Sequence, residues 1–121
     1  MASLEQKRFE SPEETRTFND GMGHADLVTV GGTTIGRGVF EPGWRWSSHV
    51  KPIAGTDSCQ AAHTGIVMQG RMAVLMDDGT EAELGPGDVV YIAPGHDAWI
   101  VGDEACVMFD VTGMPTYAKP A

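Results

Sequence analysis

Short apolar segments separated by turns that contain glycine or proline dominate the pattern of this chain. Several segments alternate apolar and polar positions, which is typical of strands with one buried face. The pattern therefore favours an all-β fold, a single-domain antiparallel β-barrel or jelly roll. The predicted strands are residues 27–30, 33–40, 44–50, 65–69, 71–76, 81–84, 89–92, 98–101 and 105–111.

A short helix is predicted ahead of these strands. Ser11 is placed to accept backbone N–H bonds as the N-cap, Pro12 fits the first helical position, and Glu14 completes a capping box. Asn19-Asp20-Gly21 is expected to end the helix.

One hairpin and the domain boundaries follow from the turn residues. Asp78-Gly79 is a favoured type I′ pair, so it is expected to join strands 71–76 and 81–84. The tail, which contains two prolines, is expected to pack loosely at an edge. The expected parts are an N-terminal arm with the short helix at 1–26, the barrel at 27–112 and the tail at 113–121.

Charge and composition narrow the expected partners and location. The 121 residues include 8 basic and 17 acidic side chains, a net charge of −9 that repels nucleic acid. No apolar run approaches the roughly 18 residues of a membrane span, and the N-terminus has no apolar signal core. The expected location is the cytoplasm, with Cys59 and Cys106 as free thiols.

The segment Pro86 to His96 contains a Gly-Asp turn, a short apolar strand and a Pro-Gly turn that presents an imidazole. Turns of this kind fix the backbone, which lowers the entropic cost of using His96 as a metal ligand. Gly87 followed by Ala93-Pro94-Gly95 matches the second sequence motif of the cupin family, with Ala93 in the first proline position. Over residues 30–111 the chain resembles cupins.

The first cupin motif is matched in part. Five residues separate Gly43 from His49, and six separate His63 from Gly70, as in that motif. Two positions depart from it, because Lys51 stands where a second histidine is usual and His63 replaces the usual glutamate. The chain is most similar to small single-domain cupins with Trp-x-Trp-Ser and Gly-His-Asp-Ala-Trp stretches. That resemblance implies a conical β-barrel whose narrow interior binds one divalent metal.

Strand alternation tests whether these departures destroy the site. His96 lies two residues before Ala98, which holds the usual histidine position, so both side chains share a face and His96 still points inward. The same alternation turns Trp44 and Trp46 away from the face of His49. Either a bulge reverses the strand there, or the two rings lie in a subunit interface; we favour the interface and expect a homodimer.

The expected metal ligands are three imidazoles. Three neutral histidines suit one divalent Zn, Fe, Mn, Ni or Cu ion and leave a position open for water or a small-molecule ligand. Cys59, Gln60 and Gln69 are candidates for a further ligand, and a Cys59 thiolate favours zinc or copper. The metal ligands are predicted to be His49, His63 and His96.

Three basic residues are candidates for binding a substrate. Arg37, Arg45 and Lys51 would anchor a carboxylate inside the barrel; the simpler interpretation is that each pairs with one of the 17 acids.

The expected function is that of a metal-dependent enzyme acting on a small polar or carboxylate-bearing molecule, an oxygenase or a lyase or isomerase. A binding or sensing module without turnover, and a barrel with a vestigial site that serves assembly or storage, are the alternatives.

Overall fold

The computed structural model describes residues 3–120, which form two antiparallel β-sheets. The larger sheet has the strand order β1-β2-β3-β9-β4-β7, and the smaller has the order β6-β5-β8. The strands are β1 Glu14–Thr17, β2 Gly23–Val30, β3 Thr33–Phe40, β4 His63–Gln69, β5 Met72–Met76, β6 Glu81–Leu84, β7 Val89–Ile92, β8 His96–Ile100 and β9 Cys106–Asp110. A 3₁₀ turn covers Asn19–Gly21, and two one-turn helices follow β3, α1 at Trp46–His49 and α2 at Lys51–Ala54.

The sheets enclose one apolar core, so the predicted all-β fold is confirmed. Buried positions alternate with half-buried ones, as in β8 and β9, where every second side chain is buried. Isolated bridges from Arg45 to Trp99 and from Cys59 to His96 tie the segment between β3 and β4 to strand β8. The second of these bridges places the start of β8 beside the segment that leads into β4.

The helix predicted from Ser11 is wrong, because a strand lies there. Glu14–Thr17 pairs with β2, and Glu14 lies opposite Leu27. The side chain of Glu13 accepts a hydrogen bond from the backbone N–H of Thr29 at 3.0 Å instead of closing a turn of helix. Pairing with a neighbouring strand thus outweighs a local capping signal.

The strand predicted at residues 44–50 is also wrong. The chain turns at Gly43, whose φ is +92°, and enters α1 at Trp46. Trp44 and Trp46 are each only 2% exposed and belong to the core. The core already covers both rings, so neither a bulge nor a subunit interface is needed to bury them. The two tryptophans therefore no longer support a homodimer, which stays a prediction.

The hairpin between β5 and β6 is confirmed, but its turn type differs from the prediction. Leu75 pairs with Glu81 as expected. A type I′ turn requires positive φ at both central residues, whereas only Gly79 of the Asp78-Gly79 pair has one, at +92°. The backbone N–H of Met76 donates to Thr80 at 2.8 Å, which makes this a three-residue loop with a bulge.

The C-terminal tail packs tightly, which corrects the expectation of a loose edge. Met114 and Tyr117 are 3% and 6% exposed. A Cβ on Gly36 would lie 2.2 Å from the Met114 sulfur, so the missing side chain at that glycine makes room for the tail. The buried Arg16 guanidinium donates from Nη1 to the carbonyl oxygens of Met114 and Tyr117, the latter at 2.7 Å.

Two expectations about the whole chain can be compared with the structure. Cys59 and Cys106 are both buried free thiols, as expected. Among residues 3–120, no helix has the length and apolar content needed to cross a membrane.

We predict that Arg16→Met destabilises the fold by about 2 kcal/mol, because two carbonyl groups at the buried tail lose their charged donor. Arg71→Met is the matched control, since the Arg71 side chain is 54% exposed and pairs with exposed Glu83 at 3.5 Å. Its expected cost is within about 0.5 kcal/mol. Urea unfolding measures both, and equal losses would contradict the role given to Arg16.

Candidate metal centre

A cavity lies between the two sheets with polar groups among apolar walls. Its volume is about 50 Å³, several times the roughly 10–15 Å³ that one water molecule needs. The polar side chains at the cavity are His63, His96, Asp110 and Tyr117. Most of the wall is apolar and includes Phe40, Trp44, Met72, Ile92, Met108 and Met114.

Three side chains that bind metals converge at the polar groups of this cavity. The ligand atoms of Cys59, His63 and His96 all lie within 4.8 Å of one another. The Cys59 sulfur is 3.8 Å from Nε2 of His63. His63 begins β4 and His96 begins β8, so each of the two sheets contributes one imidazole.

Backbone hydrogen bonds hold Cys59 against the start of β8. The N–H of Cys59 donates to the carbonyl of His96 at 2.8 Å, and the N–H of Gly95 donates to the carbonyl of Cys59 at 2.7 Å. Gly95 has a φ of +91°, a conformation that other residues rarely adopt. The Pro-Gly turn noted in the sequence therefore helps to fix the position of Cys59 relative to His96.

Asp110 fixes the ring orientation of His63. Nδ1 of His63 donates to the Asp110 carboxylate, which leaves Nε2 directed toward the Cys59 sulfur. The other oxygen of Asp110 accepts backbone N–H bonds from Thr112 at 2.9 Å and Gly113 at 2.8 Å. A carboxylate that orients a histidine in this way is the usual partner of a metal-bound imidazole.

His96 has the matching arrangement with a backbone acceptor. Its Nδ1 donates to the carbonyl oxygen of Ala93 at 2.8 Å, which leaves Nε2 with the lone pair. His96 and Cys59 are each 3% exposed. Zinc ligands in a tetrahedral shell lie roughly 3.5 Å from one another, so small side-chain rotations would bring the three donors onto one ion. The donor set therefore fits a metal.

The ionisation of Cys59 and His63 is coupled. Burial raises the pKa of the Cys59 thiol, but hydrogen bonding and charge from His63 and His96 outweigh burial and lower the pKa to about 6. Burial lowers the pKa of His63, but the hydrogen bonds with Asp110 and Cys59 outweigh it and raise the pKa to about 9. At neutral pH the cysteine is therefore a thiolate, which is the form that binds metals.

The structure does not bring His49 to this group, which corrects its prediction as the third imidazole. His49 ends α1, and its Nδ1 lies 3.0 Å from the backbone nitrogen of Arg45. Its Nε2 faces the carboxylate of Asp20 at 3.9 Å. Because the chain forms a helical turn here instead of a strand, the alternation that aimed His49 inward does not apply.

Of the further ligands that the sequence left open, Cys59 is the one that the structure brings to the two histidines. The Gln60 amide donates to the hydroxyl and carbonyl oxygens of Ser58. The Gln69 amide donates to the carbonyl of Ala105 at 3.2 Å.

The three candidate substrate-binding residues do not line the cavity, which corrects that prediction. Each forms an ion pair with a neighbouring acid, as the simpler interpretation held. The guanidinium of Arg45 also lies 4.5 Å from the centre of the Trp99 ring. The pairs are Arg37 with Asp26 at 3.2 Å, Arg45 with Asp97 at 3.6 Å and Lys51 with Asp57 at 3.9 Å.

Sequence reasoning missed two residues of the site, Asp110 and Tyr117. Asp110 shares the inward face of β9 with Cys106 and Met108, so an acid at a buried position of a strand was a usable signal. Tyr117, whose ring lies 5.1 Å from that of His63, has no such signal. The tail that carries it is placed by Arg16, about a hundred residues away along the chain.

Comparison with known proteins identifies the fold. The chain matches no protein-family model and no curated protein sequence. It is similar to the solved structure of a cupin 2 conserved barrel domain protein from Salinispora arenicola, with 21% identity over 92% of this chain and 88% of that one and a TM-score of 0.60. Two others are a cupin-superfamily sugar phosphate isomerase from Silicibacter pomeroyi and a polyketide cyclase from Streptomyces resistomycificus.

The isomerase is 17% identical over 92% of this chain and 77% of that one, with a TM-score of 0.62. The cyclase is 14% identical over 90% of this chain and 78% of that one, with a TM-score of 0.61. At these identities the similarity shows the fold, and the fold is that of cupins.

We predict that Gly113→Ala lowers the pKa of His63 from about 9, because the added Cβ would lie 2.4 Å from Nδ1 of His63 and 2.6 Å from the Asp110 carboxylate. Gly85→Ala is the matched control, since the nearest atom to its Cβ is an Arg71 side-chain carbon at 3.9 Å. Histidine NMR titration of metal-free protein measures the pKa. An unchanged His63 titration in Gly113→Ala would contradict the contact.

We predict that thiolate absorbance of metal-free protein rises with a midpoint near pH 6, because the Cys59 proton leaves as the pH rises through its pKa of about 6. Cys106 does not contribute, since burial and then Glu104 raise its pKa to about 12. His63→Gln should move the midpoint upward, toward the ordinary value of 9, and Cys59→Ser should abolish the transition. A wild-type midpoint near 9 would refute the assignment.

Proposed function

We propose that this chain is a cupin that binds one divalent transition metal through Cys59, His63 and His96 and acts on a small molecule held in the barrel cavity. The observation that carries the proposal is the convergence of three donor atoms within 4.8 Å, on elements of both sheets. Asp110 and the Ala93 carbonyl occupy the Nδ1 atoms of the two histidines and leave both Nε2 atoms for the ion. A resident metal explains why these polar groups are gathered at an otherwise apolar cavity.

The donor set favours zinc or copper among the five metals that suit imidazole ligands. A thiolate is a soft ligand, so it selects zinc or copper over manganese. One thiolate together with two imidazoles also favours iron and nickel less than zinc or copper. Three protein ligands leave a position for water or substrate, as in catalytic zinc sites. When bound, such an ion supplies Lewis-acid polarisation of a carbonyl group or a bound water of lowered pKa.

The remaining residues of the site would position the ligands and exclude water. Asp110 holds the proton on Nδ1 of His63, and backbone N–H groups from Thr112 and Gly113 hold Asp110. Tyr117 packs edge-on against His63 and closes the cavity on the side of the tail. Outside it, a groove of about 330 Å³ runs between residues 54–61 and 115–120, and its wall includes Cys59 and Tyr117.

We favour an enzyme of the lyase or isomerase type over an oxygenase. Zinc has no redox chemistry, and zinc is one of the two metals that the thiolate favours. Two of the similar structures are named for enzymes, an isomerase and a cyclase. Binding without turnover is the alternative, and it predicts the same metal and the same ligand with no product.

A second candidate function uses the same residues without a metal. Cys59, His63 and Asp110 form a relay of thiol, imidazole and carboxylate, the arrangement that activates nucleophilic cysteines. Metal-free protein incubated with p-nitrophenyl acetate would then carry an acetyl group on Cys59, detectable by mass spectrometry. Absence of that adduct in metal-free wild type, with Cys59→Ser as the reference, would exclude this function.

We predict that protein purified without an affinity tag carries about one equivalent of metal by elemental analysis. Cys59→Ser, His63→Ala and His96→Ala should each weaken zinc binding at least about ten-fold in isothermal titration calorimetry. His49→Ala is the matched control and should bind zinc as the wild type does, because His49 is not in the group. The cobalt-substituted protein should show a thiolate charge-transfer band that Cys59→Ser lacks.

Two results would refute the metal site. One is equal zinc affinity in the wild type and the three ligand variants. The other is a loss of affinity in His49→Ala as large as in His63→Ala.

A further inference from the structure

Among residues 3–120 the two sheets have four edge strands, and three of them are protected against pairing with another chain. Strand β1 carries charged Glu14 and the buried, charged Arg16, and β6 carries exposed Glu81 and Glu83. Charged side chains on an edge strand oppose the addition of a further strand. The outer side of β8 is covered instead, because two isolated bridges join it to the segment between β3 and β4.

Strand β7 is the edge that lacks this protection. No strand or bridge of the described residues pairs with its outer side. Its sequence, Val-Val-Tyr-Ile, has neither a charge nor a proline, and its register with β4 runs without a bulge. Its outward side chains, Val89 and Tyr91, are 74% and 68% exposed. An edge strand of this composition is a template for pairing with a strand of another chain.

The exposed apolar surface of β7 continues onto the neighbouring strand. Ile66 and Met68 are exposed at outward positions of β4, and Val111, just after β9, is exposed as well. Thr64 is the remaining outward residue of β4, so no charged residue occupies an outward position of β4 or β7. Exposed apolar surface without charges is typical of the centre of a protein interface. In a chain of net charge −9, such a surface also lets two copies meet without repulsion between acids at the contact.

The backbone groups at the free edge of β7 are arranged symmetrically about Val90. The N–H of Val67 donates to the carbonyl of Asp88 at 3.0 Å. Hydrogen-bonding sides alternate along an antiparallel strand, so Val89 and Tyr91 direct their N–H and C=O groups away from β4. A second, antiparallel β7 centred on Val90 places Val89 opposite Tyr91 at two positions. Each pair exchanges two N–H···O bonds and joins a β-branched to an aromatic side chain on the outer face.

We propose that this chain forms a symmetric homodimer in which the β7 strands of two copies pair antiparallel and join the two larger sheets. A second copy fits this edge better than an unrelated peptide, because Val89 meets Tyr91 of the partner subunit and the reverse contact repeats it. The nearest acid, Asp88, lies at opposite ends of the pairing in the two copies. This interface replaces the one expected at Trp44 and Trp46, and it does not involve the metal site.

The test is the mass of the protein in solution, measured by size-exclusion chromatography with light scattering at about 100 µM chain. The wild type should have twice the monomer mass. Tyr91→Lys should raise the dissociation constant at least about ten-fold, because it removes the central aromatic contact and places a charge on the edge. Leu75→Lys is the matched control, since Leu75 is an exposed apolar residue of the smaller sheet, and it should dimerise as the wild type does. Far-UV circular dichroism checks that both variants fold.

A second measurement uses the wild type alone, so it does not depend on how a variant folds. In a mixture of isotope-labelled and unlabelled chains, isotope-filtered NMR detects contacts between subunits only. It should show contacts between the methyl groups of Val89 and the ring of Tyr91 of the partner subunit.

Three outcomes would overturn the inference. The first is a wild type that stays monomeric at the same concentration, which would assign the edge to a strand of a different protein. The second is a folded Tyr91→Lys variant that dimerises as tightly as the wild type. The third is a dimer without contacts between Val89 and Tyr91 of the partner subunit, which would place the interface elsewhere.

Discussion

The contact between His63 and Asp110 is the interaction on which the rest of the site depends. It joins the start of β4 to the end of β9, two strands that pair directly in the larger sheet. Burying a carboxylate and an imidazole is unfavourable unless each is hydrogen-bonded, and here the two groups satisfy each other. The pair orients Nε2 toward Cys59, and backbone N–H groups at Thr112 and Gly113 complete the shell of the carboxylate. The tail begins at this point, so its position follows from the same contact.

The tail belongs to the site as much as the barrel does. After Gly113 the chain turns back over the cavity, where Met114 fills the space that Gly36 leaves open and Tyr117 packs on His63. Arg16, from the first strand of the sheet, holds two carbonyl groups of this segment. Residues at the two ends of the chain thus close the cavity whose polar groups come from its middle. A substitution in β1 can therefore change access to the site without touching a ligand.

The sequence determined the fold more clearly than the site. Glycine and proline turns mark most strand ends, and alternation places His63 and His96 inward, so the fold class and two of the three proposed ligands could be predicted. Both histidines stand at the first residue of a strand, two residues earlier than the predicted strands begin. The errors occur where tertiary contacts override local patterns. Trp44 and Trp46 lie in a short helical segment, to which strand alternation does not apply.

Cys59 illustrates a different limit. Its proposed ligand role depends on a backbone bridge to His96, and no local pattern around Cys59 encodes that bridge. The cupin resemblance favoured a histidine at position 49 instead, because the motif spacing fits and a thiol is not part of the motif. A thiolate changes the chemistry as well as the ligand count, since it adds negative charge to the site and favours softer metals. With one thiolate and two neutral imidazoles, a divalent ion would keep a net charge of +1, so it would still attract an electron-rich group of a bound molecule. Because most of the cavity wall is apolar, the polar contacts of a bound molecule would be concentrated at His63 and His96, where that charge lies.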